Sequence, residues 1–500
     1  MIRCFCCIGL LHLFISLQGQ PILVGTGGDY VNLEAAQASI DAGDTVMLLD
    51  GVYSDGTQFL NDLVGTEQAP IVIMAQNQHQ TVFRGGSEAI HLSNCAYLEL
   101  SGLVIEQQQG NGINIDDGGD YSTPTHHLKI TNCIFRDMAG TGNNDLLKLS
   151  GLDDFLIKNC SFINGSSGGS GIDMVGCHQG VIEDNYFDQA GTTGIQAKGG
   201  TQFIRIQRNI LKDIDQRALN LGGSTGLQFF RPPLSDPISN AFEAADLEVF
   251  SNIFIGSWAP IAFVGSVRVK VINNTFYQPE NWAIRILQET TEPGFLACGD
   301  NEYRNNIIYL TTDITEVNIG PNTDPQSFIF SNNLWYNASG SSWNPVLPVV
   351  DNGQIIDDPM FLNPGEEDFR IPENSPAVGS GITVSEPTHD FIQHTFADPP
   401  SVGAFEGNQS ITSSEYLVSD NGIHIGPNPT PNTVTIDGDF TYASVQVIDI
   451  NGQIVQDLSS NPTPISINLN SLPNGLYFLR IQSDLHSNLG LIRVIKSSGL

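Results

Sequence analysis

The chain repeats one short pattern in Gly171-Ile172-Asp173-Met174, Gly194-Ile195-Gln196-Ala197 and Ala218-Leu219-Asn220-Leu221, at intervals of 23 and 24 residues. Within each copy apolar and polar residues alternate, which is the period of a β-strand with one buried face. Most intervals in the full series are 23 to 25 residues, and two longer ones of 34 and 42 residues are what inserted loops would give. The other copies begin at Ala89, Gly112, Leu146, Pro260 and Ala283.

A second series marks one turn of each repeat, and every member is followed two positions later by Phe, Leu, Ile or Trp. Such a column predicts identical turns stacked on one another, with side-chain amides able to hydrogen-bond from one repeat to the next. The members are Cys133, Cys160, Asn185, Asn209, Asn252, Asn274, Asn306 and Asn333.

Three short strands in each turn of about 22–27 residues describe a parallel β-helix. A helical solenoid is excluded, because each apolar run is short, alternates with period two and is bounded by Gly or Asn. The 51 glycines and 26 prolines agree with a turn-rich β protein. We therefore predict an all-β chain whose main domain, residues 21–405, is a right-handed parallel β-helix, which is a solenoid.

The first 20 residues have the pattern of a signal peptide. A basic start at Met1–Arg3 is followed by an apolar stretch, Cys4–Leu17, and by the small or polar residues Gln18–Gln20. A membrane anchor is the weaker alternative, since a span needs about 18 apolar residues. We expect no membrane span elsewhere and an exported protein.

The C-terminal residues have a different sequence pattern from the repeats. After a polar linker, residues 406–422, alternating strands and the turn Asn451-Gly452 predict a small antiparallel β-sandwich over residues 423–500. Pro427-Asn428-Pro429, Leu472-Pro473-Asn474-Gly475-Leu476-Tyr477 and Ile492-Arg493-Val494-Ile495-Lys496 resemble the C-terminal sorting domain of type IX secretion. The resemblance implies that type IX secretion machinery exports the protein, which is then secreted or held at the outer cell surface. An ordinary accessory sandwich is the alternative.

Charge and cysteine content limit the function classes. The chain has 20 Lys+Arg against 54 Asp+Glu, a net charge of −34, which excludes a general nucleic-acid binder. Five cysteines remain after the predicted signal peptide, without CxxC pairs, and we expect them to be buried and reduced. These cysteines are Cys95, Cys133, Cys160, Cys177 and Cys298.

The repeat register predicts which side chains face solvent. If the Ile and Leu residues point inward, the intervening residues form one outward column, and a second column lies beside it. Successive coils lie ~4.8 Å apart, so this face would be a ladder of polar groups suited to a long polymer. The first column is His91, Asn114, Lys148, Asp173, Gln196, Asn220 and Arg285, and the second is Ser93, Asp116, Ser150 and Lys198.

Cations concentrate in one part of the repeat. Residues 198–285 hold 9 of the 20 Lys and Arg residues and seven acids, so their net charge is 9 − 7 = +2. The register puts four of the cations on other faces, namely Arg205, Arg208, Arg268 and Lys270. The candidates for a cleft or its rim are Lys198, Arg217, Arg231 and Arg285.

An insertion at residues 224–245 and the loops 117–127 and 289–303 leave the same edge of the predicted sheet. Long loops beside one sheet commonly build a binding groove. We expect Phe229, Phe230 and Arg231 to offer sugar-stacking and anion contacts. The remaining expected substrate-binding residues are Asp173, Gln196, Asn220, Arg285 and Gln288.

A groove lined by cations in an acidic exported protein favours an anionic polysaccharide as the partner. For a uronate-containing chain the natural reaction is β-elimination, in which a cation neutralises the carboxylate and a base removes the C5 proton. We assign the base to Lys198 and the neutralising group to Arg217, with Arg231 and Arg285 as further candidates. No cofactor is required for this chemistry.

The repeat, with a strand-borne Lys198 followed about twenty residues later by Arg217, resembles family 6 polysaccharide lyases of the alginate and chondroitin type. That resemblance implies a β-helix and a lyase activity. The family carries Arg-His-Gly after an Asn, whereas Asn220 is followed by Leu221-Gly222-Gly223. The paired glutamates that hold calcium in many members have no counterpart before Lys198, so calcium is possible but unsupported, and we expect no bound metal.

Two alternatives stay open. Glycoside hydrolysis needs two acids across the glycosidic bond, and Asp116, Asp117 and Asp173 are the close set on the predicted face. A non-catalytic carbohydrate-binding or adhesive β-helix would not require Lys198, Arg217, Arg231 and Arg285 to converge.

Overall fold

A computed structural model describes residues 20–340 and 343–407, and in the C-terminal part residues 417–418, 424–426, 430, 432–437, 442–449, 454–473, 475–483 and 491–496. Nearly all of the predicted signal peptide and most of the predicted linker lie outside these residues. Three parallel sheets wind along residues 22–356 and form the predicted β-helix.

Sheet A has 16 strands, three of which are short side strands. Its strands are Ile22–Val24, Thr45–Leu48, Ile71–Ala75, Ala96–Ser101, Thr125–Thr131, Leu152–Lys158, His178–Glu183, Thr201–Gln202, Arg205–Gln207, Ala244–Ala245, Glu248–Phe250, Ser266–Val267, Lys270–Ile272, Glu302–Arg304, Ile329–Ser331 and Asp351–Asn352.

Sheet B has 12 strands and follows sheet A in each turn of the chain. Its strands are Gly51–Tyr53, Thr81–Arg84, Leu103–Glu106, Ile134–Arg136, Ser161–Ile163, Tyr186–Asp188, Ile210–Lys212, Ile253–Ile255, Thr275–Tyr277, Ile307–Leu310, Leu334–Asn337 and Ile355–Ile356.

Sheet C has 10 strands and contains the repeat that opened the sequence analysis. Its strands are Gln58–Asn61, Ile90–Ser93, Ile113–Asp116, Leu147–Ser150, Ser170–Val175, Thr193–Lys198, Arg217–Gly222, Ala259–Val264, Trp282–Leu287 and Thr315–Ile319. Helices in the described residues are short: the α-helix Leu33–Ala36 and the 3-10 turns Gln37–Ser39, Leu227–Phe229, Pro325–Ser327 and Pro364–Glu366.

The interior of the coil is a stack of aliphatic and aromatic side chains. Phe135, Phe162 and Phe187 stack face to face on successive coils, with ring centroids 4.9 Å and 4.6 Å apart. The Ile and Leu residues of the repeat are buried in the same core. Because every strand pairs above and below, each coil satisfies its backbone hydrogen bonds through its neighbours.

The predicted asparagine ladder runs through the buried turn. Asn185 Nδ2 donates to Asn209 Oδ1 at 3.0 Å, and the same contact links Asn209 to Asn252 and Asn252 to Asn274. It continues through Asn306 to Asn333. These amides satisfy one another away from water, which fixes the turn of each coil. The five cysteines are buried and free, as the sequence predicted.

The C-terminal part contains two four-stranded antiparallel sheets. Apolar residues from both sheets, such as Val434, Ile467, Val447 and Leu479, share one core, which confirms the predicted small sandwich. The strands are Leu417–Val418, His424–Gly426, Thr433–Asp437 and Ile465–Asn468 in one sheet, and Tyr442–Asp449, Ile454–Pro462, Gly475–Ser483 and Leu491–Lys496 in the other. Across the part of the chain that the structure describes, no helix is long and apolar enough to cross a membrane.

Candidate functional site

The outer face of sheet C carries the predicted polar column in register. His91, Asn114, Lys148, Asp173 and Gln196 occupy paired positions on five successive strands. The column continues through Asn220, Ala262 and Arg285. Lys198 lies two residues further along its strand and is paired with Val175. The inward and outward assignment made from the sequence is therefore correct for this sheet.

The centre of the face is a cluster of two lysines on one buried carboxylate. Lys198 Nζ lies 3.2 Å from Asp173 Oδ2, and Lys148 Nζ contacts the same oxygen. Asp173 has no exposed surface, whereas both lysine side chains retain a small exposed fraction. The carboxylate therefore lies beneath the amines, and the amines are what the cluster presents to a ligand.

Asp145 belongs to this cluster and was not among the sequence-derived candidates. Its Oδ2 lies 3.8 Å from Lys148 Nζ, and its Oδ1 accepts a hydrogen bond from the Ser170 backbone. Burial, and then the charge of Asp173, raises the pKa of Asp145 to about 6. Burial lowers the pKa of Lys148, but Asp173 and Asp145 outweigh it and the net shift is upward. Asp145 lies before the strand Leu147–Ser150 and outside both outward columns. The alternation of apolar and polar residues therefore could not identify it as a site residue.

A second group of cations lies further along the same face. Arg217 Nη1 donates to Asn220 Oδ1 at 2.8 Å, and its Nη2 lies 3.1 Å from Glu289 Oε1. Arg285 is close enough to Arg217 that burial and this second guanidinium together lower its pKa. Within the described ranges no carboxylate lies within ion-pair distance of Arg285. Two guanidinium groups thus face one carboxylate.

Two tryptophans extend this second group. The Arg285 guanidinium lies 4.6 Å from the Trp282 ring, a cation–π contact. Trp258 packs edge to face against Trp282, with ring centroids 6.1 Å apart, and is 45% exposed. An exposed aromatic ring beside a guanidinium is a surface that can take the apolar face of a sugar. Neither tryptophan was among the site residues predicted from the sequence.

The three loops that leave this edge contact one another and form a wall. Tyr121 Oη donates to the Gln228 carbonyl at 2.6 Å, and Ala241 N donates to the Gly294 carbonyl at 3.1 Å. Glu243 is fully buried between the loops and the coil. It accepts hydrogen bonds from the backbone of Gly199 and Thr225, and also from the hydroxyls of Thr225 and Thr290. Glu243 therefore fixes the insertion to the solenoid.

Two residues of the insertion do not have the expected role. Arg231 is buried and makes a bidentate ion pair with Asp153, at 2.7 Å for both contacts, and also donates to the Gly176 carbonyl. Phe230 is 1% exposed and packs edge to face on Phe295. Arg231 therefore anchors the insertion, and Phe230 is a core residue of the wall, so neither is presented to a polysaccharide. Phe229 is the exposed phenylalanine of this segment.

Other sequence-derived candidates are held by the protein itself. Asn220 is buried and its Nδ2 donates to the Gly222 carbonyl at 3.2 Å. The two ends of the Gln288 amide contact Thr290 and Cys298, so Gln288 braces the loop that follows it. Gln196 is half-buried on the face.

Arg217 lies less directly beside Lys198 than expected. It pairs in register with Thr193, at the opposite end of that strand. Its side chain then reaches along the sheet to Asn220, which is in register with Gln196. The backbones of Arg217 and Lys198 are therefore five positions out of register, and the Arg217 guanidinium is held by Asn220 and Glu289.

The acidic turn that begins at Asp116 is satisfied within the protein. Asp116 Oδ1 accepts from the Ser93 hydroxyl at 2.6 Å and from Gly118 N at 2.9 Å, while Oδ2 contacts His91 Nε2 at 2.8 Å. Burial lowers the pKa of His91, but Asp116 and Glu88 outweigh it and the net shift is upward. Among the residues with described positions, no group of three or more His, Cys, Asp or Glu side chains is arranged to hold a metal ion.

Two family models match the chain. Residues 72–231 match a right handed beta helix region, and residues 424–492 match a secretion system C-terminal sorting domain. No curated protein matches the sequence.

Comparison with solved structures gives matches to enzymes and to an adhesin. Pectate lyase Pel9A is 15% identical, with a TM-score of 0.46, and the match covers 76% of this chain and 92% of that one. The PL6 family alginate lyase AlyGC is 14% identical, with a TM-score of 0.39 and coverage of 76% and 58%. The Streptococcus pneumoniae surface protein and adhesin PfbA is 11% identical, with a TM-score of 0.39 and coverage of 64% and 91%.

The coil of parallel sheets and the two matched segments agree with the architecture predicted from the repeat and the tail. A sorting domain of this kind indicates a secreted or cell-surface protein. The chain therefore consists of a right-handed parallel β-helix followed by a secretion system C-terminal sorting domain.

Proposed function

We propose that the protein binds an acidic, uronate-containing polysaccharide along the outer face of sheet C and cleaves it by β-elimination. The observation that carries the proposal is the pair Arg217 and Arg285, which have one carboxylate, Glu289, between them. In a chain with a net charge of −34, an uncompensated guanidinium on a half-buried face favours an anionic ligand.

The spacing of the cations suits a polymer. Arg285 lies three strands from Gln196, and successive strands are ~4.8 Å apart, so Lys198 and Arg285 are separated by about 14 Å along the solenoid axis. That separation exceeds one sugar unit. We assign the two cations to different units of one chain, which a ladder of this kind can bind simultaneously.

The proposed chemistry is centred on Lys198. Against the effect of burial, Asp173 and Asp145 raise the pKa of Lys148, which favours its charged form, and we assign the base to Lys198, the other amine of the cluster. Lys198 takes the C5 proton, and the neutralised carboxylate stabilises the resulting carbanion. The C4–C5 double bond then forms as the C4–O bond breaks, and the leaving oxygen takes a proton from water. We assign the neutralising charge to Arg217, which lies on the strand next to that of Lys198, and the binding of a carboxylate further along the polymer to Arg285.

A specific observation favours the non-catalytic alternative. Lys198 Nζ lies 3.2 Å from the Asp173 carboxylate, so this amine already has a partner within the protein. Two lysines held at the surface by one buried carboxylate would bind an acidic glycan without cleaving it. A hydrolase that uses the carboxylates Asp116, Asp117 and Asp173 is the third candidate.

One assay separates the three candidates. The full-length protein is incubated with alginate, pectate, chondroitin and ulvan, and the ultraviolet absorbance of unsaturated products and the release of reducing ends are followed together. A lyase increases both signals on at least one polymer. A hydrolase increases reducing ends alone, and a binding protein is retarded in a gel that contains the polymer but gives neither signal. Either of the last two results contradicts the elimination.

We also propose which secretion machinery exports the protein. We assign the C-terminal sorting domain to the type IX system, on the motifs that surround Pro427-Asn428-Pro429 and Leu472-Pro473-Asn474-Gly475. Deletion of residues 423–500 should leave the protein inside a host that has this system, while the intact chain appears in the medium or at the surface.

A further inference from the structure

Sheet A carries a concave crease on a different side of the coil from sheet C. The strands of this sheet are interrupted by residues with left-handed backbone conformation, which include Phe203, Asp246 and Arg268, with φ of 57°, 54° and 57°. These residues lie on successive coils, between the short side strands and the longer strands that follow. Because the bend recurs at the same place in each coil, the crease runs parallel to the solenoid axis.

The crease contains a cavity of about 490 Å³, within the range of ordinary ligand sites. Phe203 lines it and is 56% exposed. A large aromatic side chain that is held in a left-handed conformation and turned to solvent contributes little to the core. It is instead a flat apolar surface at the centre of a cavity.

The charged side chains of the cavity walls are paired with one another and fixed in position. Arg205 makes two hydrogen bonds to Glu248, at 2.9 Å and 2.7 Å, and Lys270 lies 3.6 Å from the same carboxylate. Arg268 makes two hydrogen bonds to Asp246, both at 2.8 Å. Arg205 also lies 3.9 Å from Glu386. Each cation therefore has a carboxylate partner, unlike Arg285 on sheet C.

We propose that this crease is a second saccharide-binding site, which takes a linear, uncharged saccharide. The exposed face of Phe203 would stack on the apolar face of a sugar ring. The paired guanidinium and carboxylate groups would donate to and accept from its hydroxyls. An anionic ligand is disfavoured here because each cation already has a carboxylate partner, and a straight crease suits an extended chain. The site does not depend on what the face of sheet C does.

The test measures binding of three uncharged probes, cellohexaose, mannohexaose and xylohexaose, to the full-length protein by isothermal titration calorimetry. At least one probe should bind, with an affinity that changes little between low and high NaCl, because no net charge is matched. Phe203→Ala should weaken that binding by about tenfold or more, since the stacking surface is lost. Glu248→Gln should also weaken it, because one acceptor oxygen becomes an NH2 donor and the ion pairs that fix Arg205 and Lys270 are lost.

Phe229→Ala is the matched control, because Phe229 is exposed to the same 56% but lies on the insertion beside sheet C. It should leave the affinity unchanged. Absence of binding by all three probes would overturn the proposal, as would equal affinity in Phe203→Ala. Loss of binding in Phe229→Ala alone would also overturn it, because the saccharide would then lie against the insertion.

Discussion

Lys198 Nζ lies 3.2 Å from Asp173 Oδ2, an oxygen that Lys148 also contacts from the other side. Asp173 pairs in register with Lys148 on one neighbouring strand and with Gln196 on the other. One buried carboxylate thus holds two amines at the surface of sheet C. This arrangement determines both the stability of the face and the chemistry open to Lys198.

Replacement of Asp173 by Asn should destabilise the protein strongly. The variant keeps the volume of the side chain but leaves two partly buried ammonium groups without their shared counter-charge, which typically costs ~3–5 kcal/mol. Denaturant unfolding of the variant and the wild type measures the difference. Asp154→Asn is the control, because Asp154 is exposed on sheet A and its loss should change the free energy of unfolding little. Equal effects of the two substitutions would contradict the account.

Asp145 should make the stability of the protein fall with rising pH in the weakly acidic range. Its pKa is raised to about 6, by burial and then by Asp173, whereas the same group in the unfolded chain titrates near about 4. Between these values the folded protein holds a proton that the unfolded chain has released, so the contribution of this group is lost as the pH rises. As the pH rises from about 4 to about 7, the free energy of unfolding of Asp145→Asn should therefore increase by on the order of 2 kcal/mol relative to that of the wild type. Urea unfolding at the two pH values checks this, and a constant difference would contradict it.

Arg285→Ala should weaken binding to an acidic polysaccharide by about tenfold and reduce the dependence of affinity on salt. The substitution removes the guanidinium that has the least counter-charge on the face. Affinity electrophoresis in alginate and pectate gels at several salt concentrations provides the measurement. Arg268→Ala is the matched control, since Arg268 is exposed on sheet A and paired with Asp246. If both variants are retarded as strongly as the wild type, sheet C does not bind the polymer.

Arg231→Ala should destabilise the insertion, residues 224–245, and should not remove a direct contact with the polysaccharide. Arg231 makes a bidentate ion pair with Asp153, and its loss leaves that carboxylate alone. We expect residues 224–245 to become sensitive to limited proteolysis and the free energy of unfolding to fall by ~3 kcal/mol. Mapping of the cleavage sites by mass spectrometry tests the first expectation. Unchanged protease resistance together with weaker polysaccharide binding would restore the role that the sequence suggested.

The fold could be predicted from the sequence because its signal is local and repeated. The alternation in Gly194-Ile195-Gln196-Ala197 fixes which side chains point inward, and the asparagine column fixes the turn. Each repeat supplies the same information again, so a single irregular coil does not obscure the pattern. The same register placed Lys198 and Arg285 correctly on the outer face of sheet C.

The site was less predictable, because it depends on contacts between parts of the chain that are distant in sequence. Arg231 and Phe230 lie in an insertion without periodicity, and their burial depends on Asp153 and Phe295, which no local pattern links to them. Asp145 precedes its strand, so its approach to Lys148 is visible only once the coils are stacked.

The central claim, that Lys198 is the base of an elimination, is tested most directly by Lys198→Ala. The variant and the wild type are compared on whichever of the four polymers yields unsaturated products, with absorbance for cleavage and affinity electrophoresis for binding. Lys270→Ala, an exposed lysine on sheet A, is the control. The account predicts that Lys198→Ala loses at least about 100-fold in the rate of product formation while it still binds the polymer, and that the control keeps full activity. Undiminished product formation by Lys198→Ala would contradict it.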